Sequence, residues 1–149
     1  MENAITDFLD AIVPNLDTML GDMRFWIGVA MMAGPILLIV IGLFYYFLAP
    51  KEANHRLGYR TYFGMGSVTA WRFTQRLAGL IWGGTGILLS IVALIGTLSL
   101  SDVPGEAVST ALTIVIIEAV GALGAFLGTE ITILVRYDMN GNRRKKKRR

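Results

Sequence analysis

A chain of 149 residues that is 54% hydrophobic and 17% charged, with a positive mean hydropathy, is too apolar for an ordinary soluble domain, where charged residues approach about a quarter. Cysteine is absent and histidine occurs once, which excludes disulfide frameworks, thiolate nucleophiles and zinc-thiolate sites and leaves almost nothing for a histidine metal centre. The net charge of +3 conceals an acidic first segment and basic later ones.

Residues 1–24 hold five acids and one base, and they lack the basic start and small-residue cleavage site of a secretory signal, so they are expected to stay in the mature protein. Ile5, Phe8, Leu9, Ile12, Leu16, Met19, Leu20 and Met23 recur at steps of three and four, while Asp7, Asp10, Asp17 and Asp22 mostly face away. This predicts an amphipathic segment lying on the outer membrane surface, divided at Pro14.

Three stretches then reach the length of about 20 largely apolar residues needed to span a bilayer: 25–48, 77–100 and 108–135. The expected fold class is all-α, a polytopic membrane protein of three transmembrane helices after the amphipathic segment. Its membrane domain covers 25–136 and a basic tail covers 137–149. Pro35, beside Gly34, should kink the first span, which ends in Phe44, Tyr45, Tyr46 and Phe47 before Pro50, as a helix does at a membrane interface. Gly79 with Gly83, Gly121 with Ala125, and Gly124 with Gly128 repeat at four-residue spacing. Such pairs let helices approach closely in lipid. They are read first as internal packing seams, and an oligomer built on them is compatible with the pattern.

Basic residues set orientation. The amino-terminal flank has only Arg24 and the connection 99–107 has none, whereas 49–76 carries Lys51, Arg56, Arg60, Arg72 and Arg76, and the tail carries Arg136 and the run Arg143–Arg149. Basic residues are retained in the cytoplasm. Three crossings put both basic segments there and the amino terminus outside, in a cell membrane. A basic run directly after a membrane helix is read as a contact with anionic lipid rather than with nucleic acid.

The segment 49–76 is too rich in aromatic residues for a disordered linker, so it is expected to be structured and docked on the membrane face. Ser67 suits the cap of a helix leading into the second span, and Gly58, Gly64 and Gly66 suit tight backbone before it. Arg60 stands out because a guanidinium grips a carboxylate at two points and is costly to leave unpaired near lipid. Glu130, near the end of the third span, invites an ion pair with Arg60, Arg72 or Arg76, with direct ligand contact as the functional alternative. Glu118 sits near mid-membrane, where an ionisable group is a functional-site hypothesis by default. Its structural alternative is a protonated carboxyl hydrogen-bonded to Thr85 or Ser90. The two acids are twelve residues apart, about 18 Å along a helix, which is too far for a catalytic dyad.

Asn54, then Gly58, Tyr59, Arg60 and Thr61 in a row, Met65, Ser67, Trp71 and Gln75 resemble the signature of the SdpI family of bacterial toxin-immunity and signalling membrane proteins. A second patch, Thr129, Glu130 and Leu134 followed by Tyr137, Asp138, Asn140, Gly141 and Arg143, resembles that family's closing motif. The pattern departs at Tyr62, where the family usually has Pro, and at Gly64 and Gly66, where it often has Ser and Lys.

The resemblance implies a helical membrane domain that protects a cell from a secreted antimicrobial peptide. It also implies relay to a cytoplasmic regulator, since the best-known member holds a transcriptional repressor at the membrane when toxin is present. A secreted peptide toxin, a cytoplasmic repressor and the lipid bilayer are therefore the expected partners, with no nucleic acid. The site residues it implies are Asn54, Gly58, Tyr59, Arg60, Thr61, Ser67, Trp71 and Gln75. A small transporter or permease-like protein using Glu118 is the alternative, and a purely structural assembly factor is a third reading. No nucleophile and base set, phosphate-cradling loop or metal cluster marks an enzyme, and no cofactor is expected.

Overall fold

The computed structural model describes residues 16–53 and 56–144. Asn54, the first fifteen residues with Pro14, and the tail from 145 onward lie outside the described residues, and with them most of the expected surface segment. Among the described residues the chain is all-helical with three helices long and apolar enough to cross a membrane, so it is a multi-pass membrane protein. Helix α1 runs Leu16–Leu43 and continues as a wider π-helical turn over Phe44–Leu48; α2 is Val68–Leu98 and α3 is Pro104–Arg136. At 28, 31 and 33 residues, each exceeds the length needed for the roughly 30 Å hydrocarbon layer.

The ends follow from local chemistry. The Ala70 N–H donates to Ser67 Oγ at 3.1 Å, which satisfies one of the four unpaired donors that open a helix. Pro104 occupies the first turn of α3, where its missing N–H costs nothing. Segments 16–24 and 25–48 form one continuous helix, and Ser67 begins a helix that runs unbroken through the second span.

The surface is inverted relative to a water-soluble protein. Leu37, Val40, Leu88, Leu98, Ile116 and Val120 each expose more than half of their area, while Thr74, Gln75, Glu118 and Thr129 are buried. Lipid solvates such a surface, so close approach of backbones, not exclusion of apolar side chains from water, must hold the helices together.

Glycines make that approach on one seam. A Cβ at Gly42 of α1 would lie 2.4 Å from the Gly83 nitrogen and 2.9 Å from the Gly79 carbonyl oxygen of α2. One at Gly86 would meet the Pro35 carbonyl oxygen at 2.8 Å. Helix α3 joins by Gly121 against Leu89 and by buried Ala125. The pair Gly124 and Gly128 departs from the packing expectation, because the space beside both is open. Three residues of helix turn Gly124 about 60° from Gly121, and Gly128 by the same angle from Ala125.

The up-down-up order shows in contacts at both ends. Arg24, early in α1, forms an ion pair with Asp102 between α2 and α3. A core of Met31, Ala93, Leu100, Ala107 and Ile114 packs toward that end. At the other end the close of α1, the start of α2 and the close of α3 meet, with the described loop residues 56–67 against them.

Candidate functional site

At the basic end the fold converges on Tyr59. Its backbone is held as a strand would hold it, because the Tyr59 N–H donates to Gln75 Oε1 and Gln75 Nε2 donates to the Tyr59 carbonyl, both at 2.8 Å. One side chain of α2 thus satisfies both polar groups of a buried loop residue, which would otherwise be expensive to desolvate.

The Tyr59 ring sits edge-on between Tyr45 of α1 and Trp82 of α2, with centroids 5.6 and 5.8 Å away, and those two rings are 6.3 Å from each other. Mutual edge-to-face packing suits aromatic quadrupoles. The hydroxyl reaches the third helix and donates to Glu130 Oε1 at 3.0 Å. Burial, and then the neighbouring Glu130 carboxylate, push the Tyr59 phenol above its ordinary range, so it stays a donor. Tyr59 therefore touches all three helices.

The neighbouring motif residues build its setting. Trp71, fully buried, donates from Nε1 to the Pro50 carbonyl at 2.7 Å and fixes where the chain leaves α1. Gly58 lies against that indole with φ +107°, and a Cβ there would come within 2.7 Å of the ring. Both facts demand glycine. Buried Thr61 accepts from the Gly64 N–H at 2.8 Å and closes the next turn. Arg72 Nε donates to the Lys51 carbonyl at 3.0 Å.

The tail docks on the same platform. Asp138 Oδ1 accepts from the N–H groups of Asn140 and Asn142 at 3.0 and 2.8 Å, Gly141 turns at φ +71°, and Tyr137 pairs with Arg143 in an antiparallel bridge. Ser67 Oγ, besides capping α2, donates to the Gly141 carbonyl at 2.8 Å, and Gly66 abuts Gly141 with no room for a Cβ between them. The Arg136 guanidinium stacks over Phe73, 4.6 Å from its centroid.

Several expectations shift here. The structure gives Glu130 a hydrogen bond from Tyr59, a partner outside the expected Arg60, Arg72 and Arg76, and Arg60, the next residue, is exposed. Trp82 and Tyr45 complete the aromatic cluster. Nothing local in the sequence singled out Trp82, and Tyr45 read as part of an interfacial belt. Glu118 is separate from this end. It is buried toward α1, with Oε2 2.9 Å from where a Gly34 Cβ would stand, and its Oε1 has no hydrogen-bond partner among the described residues. Ser90 donates to the Gly86 carbonyl of its own helix.

A model of the SdpI/YfhL protein family matches residues 51–129, more than half of the chain. The chain belongs to the SdpI/YfhL protein family. The matched region of this SdpI/YfhL protein carries Gly58, Tyr59, Thr61, Ser67, Trp71 and Gln75, the residues that shape the junction, and stops one residue short of Glu130. No curated protein and no solved structure matches the chain.

Proposed function

We propose that this protein is a non-catalytic SdpI-like immunity or signalling protein that protects its cell from a secreted antimicrobial peptide and relays the encounter to a cytoplasmic regulator. The amino terminus lies outside and the two basic segments lie in the cytoplasm, which agrees with the distribution of Lys and Arg. One observation carries the reading: the family-motif loop is bonded through Tyr59 to all three helices. A peptide that shifts one helix within the bilayer disturbs contacts that hold the loop, so an event in the membrane reaches a surface bearing Arg60, Arg72 and Arg76. The test is survival of a deletion strain in its own conditioned medium, with wild type or Tyr59→Phe restored at equal membrane levels. Wild-type rescue supports immunity, and unchanged survival of the deletion strain in medium with verified killing activity rejects it.

The second reading is a small transporter, favoured by the buried Glu118, whose Oε1 has no hydrogen-bond partner among the described residues, beside the helix segment that Pro35 deprives of a backbone bond. Glu118→Gln should abolish proton-linked uptake in proteoliposomes under that reading and spare peptide protection under the first.

A further inference from the structure

Two grooves at the basic end share part of their lining and together make an amphiphilic surface. The upper groove, about 370 Å³, lies between the π-helical turn of α1 and the start of α2, with Lys51, Arg72 and Arg76 at its rim and Tyr45, Tyr46 and Phe47 on its wall. The lower groove, about 320 Å³, runs between α1 and α2 toward mid-membrane, past Gly79, Gly83, Gly84 and Ile87, with no polar surface. Tyr46 and Phe47 line both.

Among the described residues no carboxylate forms an ion pair with Lys51, Arg72 or Arg76, and the one acid nearby in sequence, Glu52, is exposed and does not line the groove. Three cations gathered at a membrane interface call for an anion. Below them, the glycine seam lets α1 and α2 touch so closely that their outer side chains leave a furrow. From Gly79 to Ile87 it follows the helix for about 12 Å. A compact anion alone uses only the rim, and an apolar chain alone leaves the cations uncompensated.

We propose that this surface binds one anionic phospholipid, with its phosphate between Lys51, Arg72 and Arg76 and an acyl chain in the α1–α2 furrow. The inference does not depend on which face of the membrane the basic end occupies, since both leaflets present headgroups at that depth. It adds a bound lipid as a structural component of the junction, because Arg72 also donates to the Lys51 carbonyl and Gln75, which holds Tyr59, lines the upper groove.

The test uses the full chain, purified in detergent and titrated with phosphatidylglycerol, with phosphatidylcholine of the same acyl chains, and with inorganic phosphate; retained lipid is read by native mass spectrometry. Phosphatidylglycerol should be held more than tenfold tighter than phosphatidylcholine, and inorganic phosphate should not displace it. Lys51→Gln with Arg76→Gln should weaken phosphatidylglycerol roughly thirtyfold, at the usual strength of two juxtamembrane cations. Gly84→Leu fills the furrow at a point where nothing lies within 4 Å, so it should expel the lipid and leave the fold intact. Equal retention of the two lipids by the wild type, displacement by inorganic phosphate alone, or wild-type retention in both variants overturns the proposal. The wild-type comparison decides even where a variant fails to fold.

Discussion

Tyr59 and Glu130, 71 positions apart in sequence, meet in a single 3.0 Å hydrogen bond that closes the loop onto the last helix. The donor is a loop residue whose phenol is held neutral and the acceptor is an acid near the end of α3. The bond ties the SdpI-type motif to the last helix.

Tyr59→Phe keeps the ring in its aromatic setting and removes only this bond. It should lower the stability of the detergent-solubilised protein by about 1–2 kcal/mol. Glu130→Gln, which retains an acceptor oxygen, should cost less. Thermal unfolding of both single variants and the double variant measures the coupling, and strict additivity would show that the two groups do not interact.

Gln75→Leu has nearly the same size but strips the partners from the Tyr59 N–H and carbonyl together. At about 1–3 kcal/mol for each buried group left unsatisfied, the loop should open. Hydrogen exchange should then rise at 58–65 while the middle of α2 stays protected. Unchanged protection across that segment would mean that water or another group replaces the amide.

Glycine substitutions should sort by their surroundings rather than by spacing. Gly42→Ala forces apart backbones that already touch, and Gly58→Ala adds a methyl group at φ +107° against the Trp71 ring, so each should lose about 1–3 kcal/mol. Gly124→Ala meets open space and should stay within about 0.5 kcal/mol of wild type. Yields of folded monomer from size-exclusion chromatography, with melting temperatures, separate the two groups, and equal losses at Gly42 and Gly124 would contradict the packing described.

Alkaline titration should show Tyr59 as the reluctant phenol. Its folded value lies above the ordinary 10.0, so the folded state keeps a proton that the unfolded state releases. The associated stability is fully present below about pH 10 and drains away as pH rises beyond it. The tyrosinate absorbance of wild type and Tyr59→Phe should therefore coincide through the ordinary phenol range and part only above it. A Tyr59-dependent step near 10.0 would refute this.

The sequence carried the helices, their order and much of the junction's membership, because those depend on local quantities. Apolar length set the spans, Ser67 marked the start of α2, and Gly58, Tyr59, Trp71 and Gln75 stood out as residue types that membrane solubility alone does not require. Their connections were not legible in the same way. Arg60 drew attention through its charge, whereas the phenol of the neighbouring Tyr59 donates to Glu130, and burial alternates along the segment, with Tyr59 and Thr61 buried and Arg60 exposed. The same spacing of four at Gly121–Ala125 and Gly124–Gly128 could not show which pair packs.

Composition and charge placement alone were enough to make this chain a three-span membrane protein with both basic segments at one end, since the bilayer forces each backbone polar group to find its partner within a helix. Only the tertiary structure joined Tyr59 to Tyr45, Trp82 and Glu130 and stacked a cationic rim above an apolar furrow. Those relationships arise from the rotation of three helices about their axes and from glycine contacts that fix it, and no periodicity within a single helix contains that information.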